Sequence, residues 1–182
     1  MAWSLAAREA TFAIGALSLF AIVASEARPQ LSLRIAAFAR IWTACVLVFY
    51  GIENVLYPQF TPGVPDTTPT ASWVPASHVL AYVSGAVLIG CGLAMFVKRT
   101  AASGATSTGL LMMVLAVALF TPQFFIEQGV AGRVNAINFI FDTLLFAGTI
   151  LIVGAASSLR SSGVKADWTA QRPERSAVPA SA

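Results

Sequence analysis

SHVLAYVSGAVLIGCGLAMFV, residues Ser77–Val97, contains no Asp, Glu, Lys or Arg. At about 1.5 Å per residue a helix of this length reaches about 32 Å, enough to cross a hydrocarbon core of about 30 Å. Four further charge-poor stretches accompany it: Ala10–Ser25, Ile41–Tyr57, Gly109–Ile126 and Val134–Ala156. The 182 residues are 57% hydrophobic and only 10% charged, with mean hydropathy +0.76. A soluble domain carries about 25% charged residues. The expectation is an all-α integral membrane bundle, with no room for a separate soluble domain.

The basic residues alternate between loops. Arg28, Arg34 and Arg40 lie between the first two stretches, and none lies between the second and third. Lys98 and Arg99 follow the third stretch, Arg133 follows the fourth, and Arg160, Lys165, Arg172 and Arg175 follow the fifth. Cytoplasmic loops retain Lys and Arg. Five crossings starting outside place nine basic residues in the cytoplasm and leave Arg8 and Arg133 outside. The C-terminus is then cytoplasmic and the loop 58–75 external. The net charge of +3 and pI near 9.2 are accounted for by membrane orientation, and nucleic acid is not an expected partner.

The first stretch is short. Ser25-Glu26-Ala27 after it offers small residues of the kind a signal peptidase cuts at, but cleavage would invert every later segment and expose nine basic residues. Trp3–Ala7 lengthen the stretch, with Arg8 and Glu9 interrupting it. An interfacial segment on a four-helix core is the alternative. The expected organisation is a hydrophobic N-terminal helix with a basic connector over 1–33, a four-helix bundle over 34–157, and a disordered cytoplasmic tail over 158–182.

Pro58, Pro62, Pro65, Pro69 and Pro75 make the external loop a stiff cap, flanked by Tyr57 and Trp73 at the interface. Ala81 with Gly85, and Ala86 with Gly90 and Ala94, recur at spacing four and predict close helix approach. Pro122 predicts a kink in the fourth span. Cys45 and Cys91 form no C-x-x-C pair and read as buried packing residues.

Ionisable groups inside membrane helices are costly and usually face an interior. Glu53, His78 and Asp142 all fall toward the external side, and the cytoplasmic half of the core has none. Tyr50, Glu53 and Tyr57 share one helix face, His78 and Tyr82 are four apart, and Asn135, Asn138 and Asp142 form one stripe. Turned inward, these stripes would line a polar, aromatic-walled pocket open to the exterior. Buried polar residues also serve as simple interhelical ties. One His and two carboxylates lack the spacing of a metal motif, so no metal is expected. No G-x-S-x-G, H-E-x-x-H or phosphate loop is present. A transporter is disfavoured: polar residues do not continue across the cytoplasmic half, and no inverted repeat is visible.

Gly51-Ile52-Glu53-Asn54, Tyr57-Pro58, Trp73-Val74-Pro75, Tyr82, Gly85, Gly92 and Arg99, with Asn138–Leu145, resemble the DoxX family of small bacterial membrane proteins over residues 38–156. Many DoxX-like members carry His where this chain has Asn54, so a titrating or ligating group at that position is missing here. The resemblance implies a four-helix core with the first stretch as an added element. It also implies a role as a subunit of a membrane redox system, without its own redox centre. A quinone is the candidate bound molecule, the lipid bilayer the environment, and a membrane redox protein the candidate partner. The candidate ligand-binding residues are Tyr50, Glu53, Asn54, Tyr57, Trp73, His78, Tyr82, Asn138 and Asp142. A scaffold with no ligand is the alternative.

Overall fold

The computed structural model describes the backbone of residues 2–63 and 69–170, and the side chains of 3–63 and 69–158. The helices are α1 (Ala2–Val23), α2 (Pro29–Leu56), α3 (Ser77–Phe96), α4 (Ala101–Leu115), α5 (Thr121–Ile126) and α6 (Val130–Ala170), with a π-helical turn, Ala116–Phe120, joining α4 to α5. Among the described residues, five spans are long and apolar enough to cross a membrane: α1, α2, α3, the continuous α4–α5 rod, and α6. The chain is an all-α, multi-pass membrane protein. The end carrying the proline-rich loop is called the loop end, and the opposite one the tail end.

Helices α2, α3, α4 and α6 pack in a ring, each on its neighbours, and α1 lies in the groove between α2 and α6. Leu47, Leu88, Met95, Met112, Phe146, Ile150 and Val153 fill the centre and are fully buried. The tightest seam is between α2 and α3. A Cβ on Gly51 would lie 2.7 Å from the Gly85 carbonyl oxygen, and one on Gly85 would lie 2.8 Å from the Gly51 carbonyl oxygen. In lipid the apolar side chains of two helices gain little by meeting, so close backbone approach through small residues supplies much of the attraction. The small-residue face that packs here is Ala81, Gly85 and Gly92, all buried, whereas Ala86 and Gly90 are exposed and Ala94 is half-buried toward Gly104 of α4.

Three boundaries differ from expectation. The first span is a full helix of 22 residues, about 33 Å long, because Arg8 is accommodated within it. The second begins at Pro29, whose fixed φ suits the first helical turn, so Arg34 and Arg40 sit on α2 rather than ahead of the second span. Arg40 is buried and donates from Nη1 to the carbonyls of Met95 and Phe96, at 3.0 and 2.9 Å. It satisfies the orphan C-terminal acceptors of α3, and the tail-end half of the core therefore does hold a buried charge. The expected tail begins inside α6, whose backbone stays helical to Ala170. Residues 171–182 lie outside the described part.

Pro122 removes one backbone donor, and the helix before it widens into the π turn, a usual response near such a break. Thr121 Oγ1 donates to the Ala116 carbonyl at 3.1 Å, and Phe120 stacks on Phe139 of α6 at 5.6 Å. Cys45 is exposed on the outer face of α2 and Cys91 is half-buried. The expectation that both are buried is corrected for Cys45, since a lipid-facing position tolerates an apolar thiol as well as the core does.

Candidate polar site at the loop end

The inward face of α1 is Ser4, Arg8, Thr11, Gly15 and Ser18, alternating at spacings of four and three. That spacing keeps one seam against a partner. Ser4, Thr11, Gly15 and Ser18 are buried, and the Arg8 side chain is 17% exposed. Three of the five meet polar groups on the bundle. Ser4 Oγ donates to Glu53 Oε1 at 2.9 Å, and the Tyr50 hydroxyl donates to the Ser4 carbonyl at 2.8 Å. Arg8 Nη1 pairs with Asp142 Oδ2 at 2.9 Å. Trp42 Nε1 donates to Thr11 Oγ1 at 3.2 Å. Below these, a Cβ on Gly15 would lie 2.8 Å from a Thr149 methyl of α6.

The result is one polar cluster bridged by α1. Tyr50 and Glu53 come from α2, Asp142 from α6, and Ser4, Arg8 and Glu9 from α1. Arg8, Glu53 and Glu9 all lie within electrostatic range of the Tyr50 phenol. Tyr50 is fully buried, with its ring against Phe146 at 5.7 Å. Arg8 also reaches exposed Glu9 through Nε and Nη2. Glu53 Oε1 is taken by Ser4, while Glu53 Oε2 is buried and has no hydrogen-bond partner. A buried, unpaired carboxylate oxygen costs free energy.

Asn54, next along α2, does a different task. Its amide nitrogen donates to the carbonyls of Tyr50 and Gly63, and its side-chain oxygen accepts the Gly63 N–H at 3.1 Å. Both ends of the amide are used in pinning the loop. Pro62 is thereby fully buried, and Gly63, at φ +112, turns toward Leu115 and Met112 of α4. Non-helical backbone at this level is tolerated because it is enclosed by protein. Pro65 lies outside the described residues.

The remaining candidates are not part of the cluster. Tyr57, Trp73, His78, Tyr82 and Asn138 are exposed. Helix α3 packs chiefly on α2 and α4, which leaves the His78–Tyr82 face pointing away from α1 and α6. Tyr57, Trp73 and Tyr82 occupy interfacial positions of the kind aromatic belts use, so the expected aromatic-walled pocket reduces to Tyr50. Asn135 and Asn138 share a face with Asp142 but stand about 10 and 6 Å nearer the loop end, beyond the Arg8 side chain that engages Asp142. No group of three metal-ligating side chains occurs among the described residues.

Ser4, Arg8 and Glu9 are the members sequence reasoning missed. Along the sequence Arg8 reads as an interruption and a topology signal. The Ser4–Arg8–Thr11–Gly15–Ser18 seam, a row of small and polar residues in an apolar helix, was the signal that would have found the first two. Comparison of the chain with family models, with curated proteins and with solved structures gives no match.

Proposed function

We propose that the protein is a DoxX-like accessory subunit of a membrane redox system in the bacterial inner membrane. The loop end faces outward and the C-terminus lies in the cytoplasm. The Glu53–Arg8–Asp142 cluster holds the polar head of a small lipophilic molecule, with a quinone or quinol the leading candidate. One observation carries this reading: Glu53 Oε2 is buried without a partner in an otherwise satisfied cluster. Tyr50 O–H is committed to Ser4, the Asn54 amide to Tyr50 and Gly63, and Arg8 to Asp142 and Glu9. The open capacity is thus a carboxyl oxygen. It accepts a hydrogen bond from a quinol hydroxyl when ionised and donates one to a quinone carbonyl when protonated.

The test is gentle purification from native membranes, followed by mass spectrometry of extracted lipophiles and identification of associated proteins. A stoichiometric lipophile that is lost in Glu53→Gln at unchanged protein yield supports the reading. A second reading has its own observation. The bonds from Ser4, Tyr50, Arg8 and Trp42 all join α1 to the bundle, as a scaffold locked by interhelical ties would require. A reproducible protein partner with no lipophile in either protein favours it.

A further inference from the structure

We propose that α1 is a hinged gate over the Glu53 carboxyl, latched by the Arg8–Asp142 ion pair and pivoting at the Gly15–Thr149 contact. The inference deepens the ligand reading by giving the site its route of access, but the motion itself does not depend on which molecule binds.

Glu53 Oε2 is sealed from the surroundings in this arrangement, so whatever binds there must first displace something. The covering element is the loop-end half of α1, whose Ser4 hydroxyl sits on Oε1 and whose Ser4 carbonyl is held by Tyr50. Apolar burial on that half is concentrated beside the pivot, where Phe12 and Ile14 pack into the core, whereas toward the helix start Trp3 and Leu5 are 81% and 53% exposed. In lipid, moving an apolar face from protein to acyl chains costs little, so the polar ties carry much of the docking energy. The strongest of them by charge is Arg8–Asp142, whose carboxylate is 37% exposed at the α1–α6 seam.

The tail-end half is fixed differently. Gly15 lies against Thr149 too closely to admit a side chain, and the short turn 24–28 ties α1 to α2 through Arg28 N–H to the Ala24 carbonyl. One half is bonded by breakable polar contacts and the other by steric fit and chain connection, which defines where the helix bends away. A molecule dissolved in the bilayer would enter sideways, between α1 and the α2–α6 groove.

The experiment measures how fast dicyclohexylcarbodiimide labels Glu53 in the full chain in lipid nanodiscs at fixed pH, read by peptide mass. The reagent adds to a protonated carboxyl: oxygen bonds to its central carbon and the proton goes to nitrogen. Acyl migration then gives a stable acylurea, with nothing leaving. Asp142→Asn should label up to about fivefold faster, the population shift expected when a partly exposed ion pair is removed. Charge alone predicts the reverse, since Asp142→Asn removes a negative charge and leaves Arg8 with Glu9 only. The exchanged pair Arg8→Asp with Asp142→Arg should return the rate to that of the parent protein.

Spin labels on Leu5→Cys and Val55→Cys, with Cys45 and Cys91 replaced by Ala, should show a longer and broader distance in Asp142→Asn. An unchanged labelling rate overturns the gate, and so does faster labelling at an unchanged distance. If Asp142→Asn does not fold, Asp142→Glu disturbs the latch geometry while keeping its charge and is read the same way. Gate and ligand fail separately. Accelerated labelling without a retained lipophile leaves the gate and removes the ligand, and a retained lipophile with invariant labelling does the opposite.

Discussion

Two glycines of α3, five residues apart, should respond to alanine with opposite signs. At Gly85 a new Cβ would stand 2.8 Å from the Gly51 carbonyl oxygen, 3.0 Å from Val55 Cγ2 and 3.2 Å from Asn54 Cβ. Ordinary contact begins near 3.4 Å, and the closest obstacle is backbone, so α2 and α3 must part by about 0.6 Å. A gap of that size forfeits a quarter to a half of each dispersion contact along the seam, and overpacking of this kind costs about 1–3 kcal/mol. Alanine recovers about 1 kcal/mol of helix propensity, which leaves Gly85→Ala destabilised by up to about 2 kcal/mol. At Gly90 nothing lies within 4 Å of the new Cβ, so the propensity gain stands alone and Gly90→Ala should be stabilised by up to about 1 kcal/mol. Reversible unfolding in mixed micelles, followed by circular dichroism, reads both. Gly51→Ala should resemble Gly85→Ala, and the double variant should cost less than the sum, because one displacement accommodates both methyls. Equal stabilities for Gly85→Ala and Gly90→Ala would refute the crossing and the helix pairing drawn from it.

Other outcomes follow from single contacts. Asn54→Ala removes the two-way clamp on Gly63 and leaves a buried N–H unpaired; a loss of about 2–3 kcal/mol and faster proteolysis near Gly63 are expected, checked by limited digestion in nanodiscs. Arg40→Met strands the α3 C-terminal carbonyls and should cost about 1.5–3 kcal/mol, with Arg40→Lys intermediate in the same unfolding assay. Trp42→Phe keeps the ring and drops the bond to Thr11, a loss of about 0.5–1 kcal/mol in unfolding midpoint.

The spans were legible because lipid demands about 20 residues without charge, and α3 and the α4–α5 rod announce themselves on that count alone. Their rotation was not. Helix α3 is apolar nearly all round, so no hydrophobic face tells which side meets protein, and His78 with Tyr82 could be placed on a stripe but not on the correct side of the bundle. The α1 boundary was hidden by Arg8, which interrupts an apolar run when read along the chain and completes an ion pair once α6 lies alongside. That pairing joins residues 8 and 142 and depends on helix order, which local pattern does not encode. Glu53 and Asp142 were found because a carboxyl group in an apolar helix is conspicuous by itself. Asn54 entered through the resemblance of Gly51–Asn54 to a family motif, and both ends of its amide serve the loop.

The Arg40 cap has a consequence for synthesis. With the tail end cytoplasmic, as proposed, α2 enters the membrane while α3 is still to be made, and Met95 and Phe96 come 55 and 56 residues after Arg40. During that interval Arg40 is an uncapped charge in water, able to hold its end of α2 on the cytoplasmic side. When α3 arrives, the same guanidinium is drawn inside to close that helix. One residue thus acts in sequence as an address label and as a fastener. A variant that keeps the charge but cannot reach the carbonyls should insert in the correct direction and then fail to assemble.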